Sequence, residues 1–477
     1  MSAHALPSPL RSAARKLPRK GSARSIIRTA GFNVASTVAA GLGGLIFARA
    51  VGPAIRGEYA AITSWFGLAL TVGGMGQPAA LCFYVASDAI RAREYVATSR
   101  VMMVTTGTIA LVGGLILAPA LSHGSGRVTD GYRIAFATSI IAFVGASYTF
   151  SLQARDIRRW NIVRLSQPAL SAICMAVLWK LHSLTLRTAL LTLTVTMAIQ
   201  LIWAYRSCRA TDLAPGRPRR SLVRPLAGYG TAQIAALAPA TVNAYLDQLV
   251  LSQTVSSADL GRYAIAVSLT SMPIPIVSAI GNVAFPRLAA RTSSADTADL
   301  QRRAVVASLV IAAAMLLPLD LIAYWAVPLA FGRAYQGTVP LIWLLTPGAV
   351  CLACSQVVGD LLRGRKRPTV VARAEGLAAV FTVVLLIVLL PTVGVAGAAI
   401  ASTVAYGTAL AVMLRSLHRP PPAGTSASRP SRTRRGRHRR ALGASRQVGR
   451  AQVAATPPVH SKWPLVDGMR WKEQLCG

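Results

Sequence analysis

The chain comprises 477 residues, of which 53% are hydrophobic and only 14% are charged, whereas a soluble domain carries about 25% charged residues. This composition excludes a soluble globular domain and indicates an integral membrane protein. The net charge of +36 does not indicate a nucleic-acid partner, because the basic residues alternate between short loops and do not cover one face.

The sequence begins with a basic tail, residues 1–28, and continues with twelve apolar segments of about 20 residues, the length that crosses a bilayer core. Six precede a basic linker, residues 206–228, and six follow it, which divides the chain into an amino-terminal lobe (29–205) and a carboxyl-terminal lobe (229–417). Residues 418–477 form a basic cytoplasmic tail that cannot bury a core and is predicted to be disordered. The predicted spans are 29–51, 59–87, 97–121, 134–152, 162–181, 186–205, 229–253, 263–288, 305–331, 338–361, 369–390 and 394–414.

The distribution of Lys and Arg predicts the topology. With both termini in the cytoplasm, the inner loops between spans carry 22 basic residues and the outer loops carry eight. Six spans in each lobe give the two lobes the same orientation, as in two-lobed transporters. We therefore predict an all-α integral protein of the cell membrane, with twelve transmembrane helices in two six-helix bundles around a central cavity.

Matching features recur in the two lobes. The segment RGEYA at 56–60 parallels LGRYA at 260–264, and Gly76-Gln77 parallels Gly281-Asn282 about one helix later. Gln77 and Asn282 thus occupy equivalent places in the two lobes. Each could hydrogen-bond either sugar hydroxyls or the neighbouring helix.

Asp247 lies within the seventh span, although an isolated charge costs about 2.5–3.5 kcal/mol at a bilayer centre. Asn243 lies one turn before it on the same helix face. This polar stripe indicates either a cation or proton site coupled to lobe movement or an ion pair that only fixes packing. Asp360 and Glu375, at the inner ends of spans ten and eleven, are expected to pair with neighbouring arginines.

Arg49 lies near the outer end of the first span. Its side chain could extend to the outer headgroups, or it could clamp a phosphate in the cavity, since a planar guanidinium can bond two oxygen atoms. Asp320 is the only acidic residue in the ninth span, and we predict that it faces the cavity or a helix interface.

The sequence contains no motif that indicates an enzyme. There is no G-x-x-x-x-G-K-[ST] segment for a nucleotide, and the six histidines lie in loops or tails. No nucleophile, base and donor converge on one helix face, and no metal-ligand spacing occurs. We therefore predict no enzymatic activity and no cofactor other than a coupling cation, Na⁺ or H⁺.

Two segments resemble a known family. FARAVGPAIRGEYAA at 47–61 resembles the signature of the polysaccharide-biosynthesis oligosaccharide flippases, in which an arginine precedes a Gly-Pro turn and a glycine-aromatic pair opens the second helix. LDQLVLSQTVSSADLGRYAIA at 246–266 resembles the start of that family's second lobe. The matching residues are Arg49, Gly52, Pro53, Gly57 and Tyr59, and then Asp247, Gly261, Tyr263 and Ala264.

The resemblance covers roughly residues 28–417. It implies two six-helix bundles that alternate between inward-open and outward-open states and carry a polyprenyl-diphosphate-linked oligosaccharide; the superfamily also contains lipid II flippases and multidrug-and-toxin extruders. In some relatives the span-seven aspartate binds sodium together with polar groups of span eleven. Here the middle of span eleven, residues 377–382, has no carboxylate, and Thr382 and Thr403 are the nearby oxygen donors, so the coupling ion stays open.

Three functions follow as hypotheses. The first is a flippase for a lipid-linked oligosaccharide, with Arg49, Gln77, Asn243 and Asn282 at the substrate, and with Asp247, Asp320, Thr382 and Thr403 in coupling or gating. The second is a multidrug or cation efflux antiporter, and the third is a membrane glycan polymerase or ligase. The expected partners are the lipid bilayer, the lipid-linked glycan, and a glycan polymerase or glycosyltransferases.

Overall fold

A computed structural model describes residues 20–74, 76–214, 216–289, 294–365 and 367–418. Most of the two predicted basic tails, residues 1–19 and 419–477, lie outside these ranges. Within them the chain forms fourteen α-helices and two single-turn 3-10 helices, Arg220–Leu222 and Arg333–Tyr335, and no strand. The α-helices are α1 (Lys20–Gly73), α2 (Gln77–Ser87), α3 (Ala92–Leu121), α4 (Gly126–Ala137), α5 (Ser139–Arg155), α6 (Ile157–Lys180), α7 (Leu186–Ala210), α8 (Val223–Thr254), α9 (Ser257–Thr270), α10 (Ile274–Ala289), α11 (Ser294–Phe331), α12 (Thr338–Gly364), α13 (Pro368–Val393) and α14 (Val395–His418).

The first helix, α1, is interrupted at Gly52, where φ is 76° and ψ is 176°, just before Pro53. Glycine adopts this conformation without the steric penalty that a Cβ would bring. The rings of Phe47 and Tyr59 lie 4.8 Å apart, although twelve residues of continuous helix would separate them by about 18 Å along the axis. The chain therefore folds back at Gly52, and α1 contains both the first predicted span and the start of the second.

Nine helical segments in the described ranges are long and apolar enough to cross a membrane, or ten if the bent pair Ser257–Thr270 and Ile274–Gly281 forms one span. The segment of α1 counts once in this number although it folds back at Gly52, and α8, the seventh predicted span, is not included. The predicted count of twelve crossings is therefore not confirmed by helix length and hydropathy.

The helices pack in two groups. Within the first group α1 packs against α6, α3 against α5, and α5 against α7; within the second, α12 and α13 pack against α14, and α10 and α11 pack against α12. One apolar cluster crosses between the groups, because Ala48, Ala60 and Ala61 of α1 contact the core of the second group. Most contacts between the groups are made by α1 with α8 and α9 and by α2 with α8, and α1 also contacts α10 and α11.

The predicted linker between the lobes packs against the start of α3. The backbone nitrogen of Gly216 donates to the carbonyl oxygen of Arg93 at 2.9 Å, and the backbone nitrogen of Arg219 donates to the Thr98 hydroxyl at 3.0 Å. The Arg219 guanidinium pairs with Glu94 at 2.8 Å. These contacts attach the linker to the first group of helices before α8 begins.

Candidate functional site

A buried polar cluster lies inside the second group of helices, and Asp247 of α8 is at its centre. Asp247 is only 5% exposed. One of its carboxylate oxygens accepts a hydrogen bond from the Tyr263 hydroxyl of α9 at 2.6 Å and lies 3.5 Å from the Ser402 hydroxyl of α14. The other accepts from the backbone nitrogen of Gln248 at 2.7 Å. The buried carboxyl group thus has donors on its own helix and on two others.

Asn243 extends this cluster along the same face of α8, at the predicted i, i+4 spacing from Asp247. Its side-chain oxygen accepts from the Thr382 hydroxyl of α13 at 2.9 Å, and Glu375 accepts a hydrogen bond from the Asn243 side chain. Four α-helices lie between α8 and α13 in the sequence, yet α8 and α13 pack directly against each other. The cluster therefore contains two carboxyl groups, one amide and three hydroxyls.

Glu375 differs from the expectation of an interfacial ion pair with a neighbouring arginine. Its side chain is 8% exposed and shares the inward face of α13 with Ala378 and Thr382, which follow it at i+3 and i+7. Asp360 does pair with Arg363, at 2.8 Å. The sequence analysis missed this placement, and the signal available for it was the helix period, which puts Glu375 on the same face as Thr382.

Three other predicted residues, Gln77, Asp320 and Thr403, lie away from the cluster. Gln77 is buried within the first group of helices, where its side-chain oxygen accepts from the Ser99 hydroxyl at 3.3 Å. Asp320 accepts from the Thr346 hydroxyl of α12 at 2.8 Å, and the Thr403 hydroxyl donates to a backbone carbonyl of α12 at 2.7 Å. The side chain of Asn282 lies outside the described residues. Tyr263 and Ser402, which complete the cluster, were not among the predicted site residues.

Arg49 is exposed and connects the two groups of helices. Its guanidinium donates to the carbonyl oxygens of Leu329 and Ala330, the latter at 2.9 Å, in the last turn of α11. A cation is stabilised there because the helix carboxyl terminus carries partial negative charge. Nearby, the hydroxyl of Tyr335 donates to the carbonyl oxygen of Ala48 at 3.1 Å. Burial raises the pKa of Tyr335 well above its usual value, so the hydroxyl keeps its proton at neutral pH.

The two groups approach most closely where the repeated segments meet. A Cβ on Gly57 would lie 1.7 Å from the carbonyl oxygen of Ser257, and a Cβ on Gly261 would lie 2.0 Å from that of Pro53. These are the equivalent glycines of the 56–60 and 260–264 repeats. Both contacts require the absence of a side chain. The fold-back of α1 near Gly52 and the start of α9, which are predicted to lie at the outer side, are therefore in direct contact.

The interface continues inward along α1 and α8 through polar contacts. The Ser64 hydroxyl donates to Gln248 at 2.8 Å, and the Trp65 indole nitrogen donates to the Ser252 hydroxyl at 3.2 Å. Gln248 directly follows Asp247, so adjacent residues of α8 face the buried cluster and the interface.

A cleft of about 340 Å³ lies farther along this interface, between the α1–α2 junction and α8. Its lining includes Leu70, Pro78, Ile234 and the polar Gln233. Val72 also lines the cleft and is 55% exposed, so the cleft is open to the outside of the protein. Arg49, Gln77 and Asn243 are not part of its lining.

The part of the chain that the structure describes holds no group of three or more His, Cys, Asp or Glu side chains that could bind a metal ion. The buried cluster offers oxygen atoms from carboxylate, amide and hydroxyl groups. Such a set is suited to a hard monovalent cation or to a proton, since hard cations prefer oxygen ligands.

Comparison with family models matches residues 22–291 to the polysaccharide biosynthesis protein family. Comparison with curated proteins finds no similar sequence. An inward-facing multidrug resistance MATE transporter of the MOP superfamily superposes with a TM-score of 0.67 at 14% identity, covering 80% of this chain and 94% of that one. The lipid II flippase MurJ in an inward closed conformation gives 0.66 at 11% identity, covering 81% and 87%. A MOP superfamily transporter from Pyrococcus furiosus gives 0.61 at 13% identity, covering 84% and 98%. These likenesses show the fold.

The Asp247–Tyr263 hydrogen bond is predicted to stabilise the second group of helices. Replacing Tyr263 with Phe removes a donor from a buried carboxylate, which costs about 1.5–3 kcal/mol. We expect a lower unfolding temperature for the purified Tyr263→Phe protein in detergent. Tyr324→Phe, at a tyrosine that is 52% exposed, is the control and should not change it. Equal unfolding temperatures for all three proteins would contradict this role.

The glycine contact is predicted to hold the outer ends closed. Gly57→Ala overpacks the contact at a cost of about 1–3 kcal/mol, which shifts a two-state population by about fivefold or more. Cysteines replace Ser64 and Gln248 in an otherwise cysteine-free chain. This pair should cross-link efficiently when residue 57 is glycine, and about fivefold less in the Gly57→Ala variant. Gly44→Ala, where a Cβ meets nothing within 4 Å, is the control. An unchanged cross-linking yield in Gly57→Ala would show that the contact does not govern closure.

Proposed function

The chain belongs to the polysaccharide biosynthesis protein family, and from this premise we propose that it moves a polyprenyl-diphosphate-linked oligosaccharide from the cytoplasmic to the outer leaflet of the cell membrane. The physical problem is the headgroup, because a charged and hydroxylated group cannot cross hydrocarbon unaided. The lipid tail has no such barrier. The protein must therefore supply a polar path beside a lateral opening for the tail.

The observation that carries this proposal is the interface between the helix groups. It combines side-chain hydrogen bonds, Ser64 with Gln248 and Trp65 with Ser252, with an open cleft at the same interface. When the two groups of helices separate, their polar side chains can form hydrogen bonds with a glycan in place of those across the interface. The largely apolar cleft suits a prenyl chain, whose only requirement is an apolar surface.

Alternating access then consists of rocking one group of helices against the other around this interface. We propose twelve crossings, with α1 contributing the first and part of the second and with both termini in the cytoplasm, as the Lys and Arg distribution predicts. The fold of MOP superfamily transporters supports this arrangement. The Gly57–Gly261 contact then corresponds to the closed outer side.

Arg49 is proposed as the diphosphate clamp, in the state in which it is released from α11. In the conformation described here the guanidinium neutralises the carboxyl terminus of α11. Separation of the two groups would free its planar donor fork for phosphate oxygens. The proposed substrate-binding set is completed by Gln77, Asn243 and Asn282.

The buried cluster is proposed as the coupling site, with Asp247 and Thr382 as its main ligands and Glu375 joined through Asn243. Asp320 and Thr403, on α11 and α14, are proposed as gating residues at the contacts with α12. A bound cation or proton neutralises the negative charge of the Asp247 carboxylate. Loss of that charge weakens the hydrogen bonds from Tyr263 and Gln248, and Gln248 in turn bonds Ser64 across the interface.

Export of cationic drugs is the second candidate function, because the MATE fold matches this chain as well as the MurJ fold does. The two functions differ in the charge of the cargo. A cationic drug requires carboxylates toward the path, whereas Asp247 and Glu375 are buried inside one group of helices.

Transport by the purified protein in vesicles distinguishes these functions. We expect a polyprenyl-diphosphate-linked oligosaccharide to become accessible to an impermeant glycosidase at least about tenfold faster than in protein-free vesicles, whereas the cationic dye ethidium stays behind the membrane. Arg49→Ala should abolish the glycan transfer, and Arg133→Ala, at an exposed arginine paired with Asp130, should not. Movement of ethidium without movement of the glycan would overturn the proposal in favour of drug export.

Asp247→Asn is predicted to preserve the fold and to uncouple transport. The amide oxygen still accepts from Tyr263, but the NH2 group cannot accept from the backbone nitrogen of Gln248, so we expect a folded protein with a modestly lower unfolding temperature. The amide no longer carries the charge that a cation or proton neutralises. We expect the transfer rate to lose its dependence on the ion gradient and to fall by about tenfold or more. Asp130→Asn, an exposed carboxylate, is the control. A gradient-dependent rate that survives in Asp247→Asn would exclude this residue from coupling.

A further inference from the structure

A groove of about 640 Å³ lies on the outside of the first group of helices, between the start of α6 and the end of α7. Arg159 of α6 lines one side, and Ile199, Trp203, Arg206 and Ala210 of α7 line the other. It is separate from the buried cluster and from the interface between the groups. Nothing in the proposed function uses these residues.

The order of residues along α7 follows the chemical order of a phospholipid. Ile199, Trp203, Arg206 and Ala210 are spaced by four, three and four residues and therefore lie on one helix face. From Ile199 to Arg206 the helix rises about 10 Å, from an exposed aliphatic side chain through an exposed indole to an exposed guanidinium. Apolar, aromatic and cationic groups in this order match acyl chain, glycerol region and phosphate.

The groove carries an excess of positive charge. Asp156 is the only acidic residue between Asp130 and Asp212 in the sequence, and it is paired with Arg159 at 3.4 Å. Arg206 has no ion-pair or hydrogen-bond partner in the described ranges, whereas the inner-end arginines Arg219 and Arg363 are paired with carboxylates. The positive charge of Arg206 is therefore available to an external anion.

The structure already holds the Arg159 side chain close to Arg206. Its guanidinium donates to the carbonyl oxygen of Ser207 at 3.5 Å, which brings it beside Arg206 on the neighbouring helix. Two guanidinium groups on adjacent helices present several N–H donors to one anion, and phosphate oxygens match this geometry. The apolar wall below them accepts acyl chains.

We propose that this groove binds the headgroup of an anionic phospholipid, with Arg159 and Arg206 at the phosphate and with Ile199 and Trp203 along the acyl chains. Basic pockets between membrane helices at the cytoplasmic interface recognise anionic headgroups in this way, and the Lys and Arg distribution predicts that this end is cytoplasmic. The site lies on one group of helices, so it remains available whether the interface is open or closed. The proposal does not depend on the identity of the transported cargo.

The test counts lipids that stay bound to the full-length protein. The protein is equilibrated with mixed micelles of phosphatidylglycerol and phosphatidylcholine, and retained lipids are counted by native mass spectrometry. We expect preferential retention of phosphatidylglycerol by the natural protein. Arg206→Gln, which breaks no described contact, should reduce this retention by about tenfold, as expected for the loss of one charge-assisted contact. Arg159→Gln combined with Arg206→Gln should abolish it.

Arg209→Gln is the matched control, because Arg209 lies one turn from Arg206 but packs over the Tyr205 ring at 6.0 Å and does not line the groove. Equal phosphatidylglycerol retention in Arg206→Gln and Arg209→Gln would overturn the proposal. Displacement of the lipid by inorganic phosphate alone, at concentrations that match the lipid, would also overturn it, because the site would then bind free phosphate and not a lipid. Neither outcome bears on transport, so the proposed function is tested separately.

Discussion

A carboxylate inside a membrane protein needs hydrogen-bond donors from the protein itself, and Asp247 obtains them from Tyr263, Ser402 and the backbone of Gln248. Hydrocarbon offers no alternative donors, so each partner must be delivered by another helix. This requirement holds α8, α9 and α14 in one arrangement. Asn243 adds α13 through Thr382. The polar cluster around Asp247 thus connects four helices of the second group, α8, α9, α13 and α14.

The same segment of α8 also faces the first group of helices. Asp247 points into its own group, and Gln248 accepts from Ser64 across the interface. A backbone hydrogen bond joins these two neighbours directly. In the proposed coupling mechanism, Gln248 alone connects Asp247 to the contact between the groups, so no long chain of residues is needed.

Contact between the two groups depends on the absence of side chains at particular places. Gly57 and Gly261 allow backbone to approach backbone, and Gly76, at φ 63°, allows the α1–α2 junction to approach Gly230. Small residues let membrane helices pack closely through van der Waals contact, because the hydrophobic effect gives little driving force inside lipid.

The sequence by itself determined the class of the protein, the all-helical fold, the break at Gly52-Pro53 and the shared face of Asn243 and Asp247, because hydropathy, backbone sterics and the helix period are local properties. The family resemblance at 47–61 and 246–266 was confirmed by the match over residues 22–291. Only the tertiary structure decided which polar groups meet. Tyr263, Glu375 and Ser402 join Asp247 and Asn243 from as many as 155 residues away, and Thr403, adjacent to Ser402, faces α12 instead because one residue turns a helix by about 100°. Arg49 likewise finds its carbonyl partners 280 and 281 residues away, a pairing set by how two bundles pack and by no pattern along the chain.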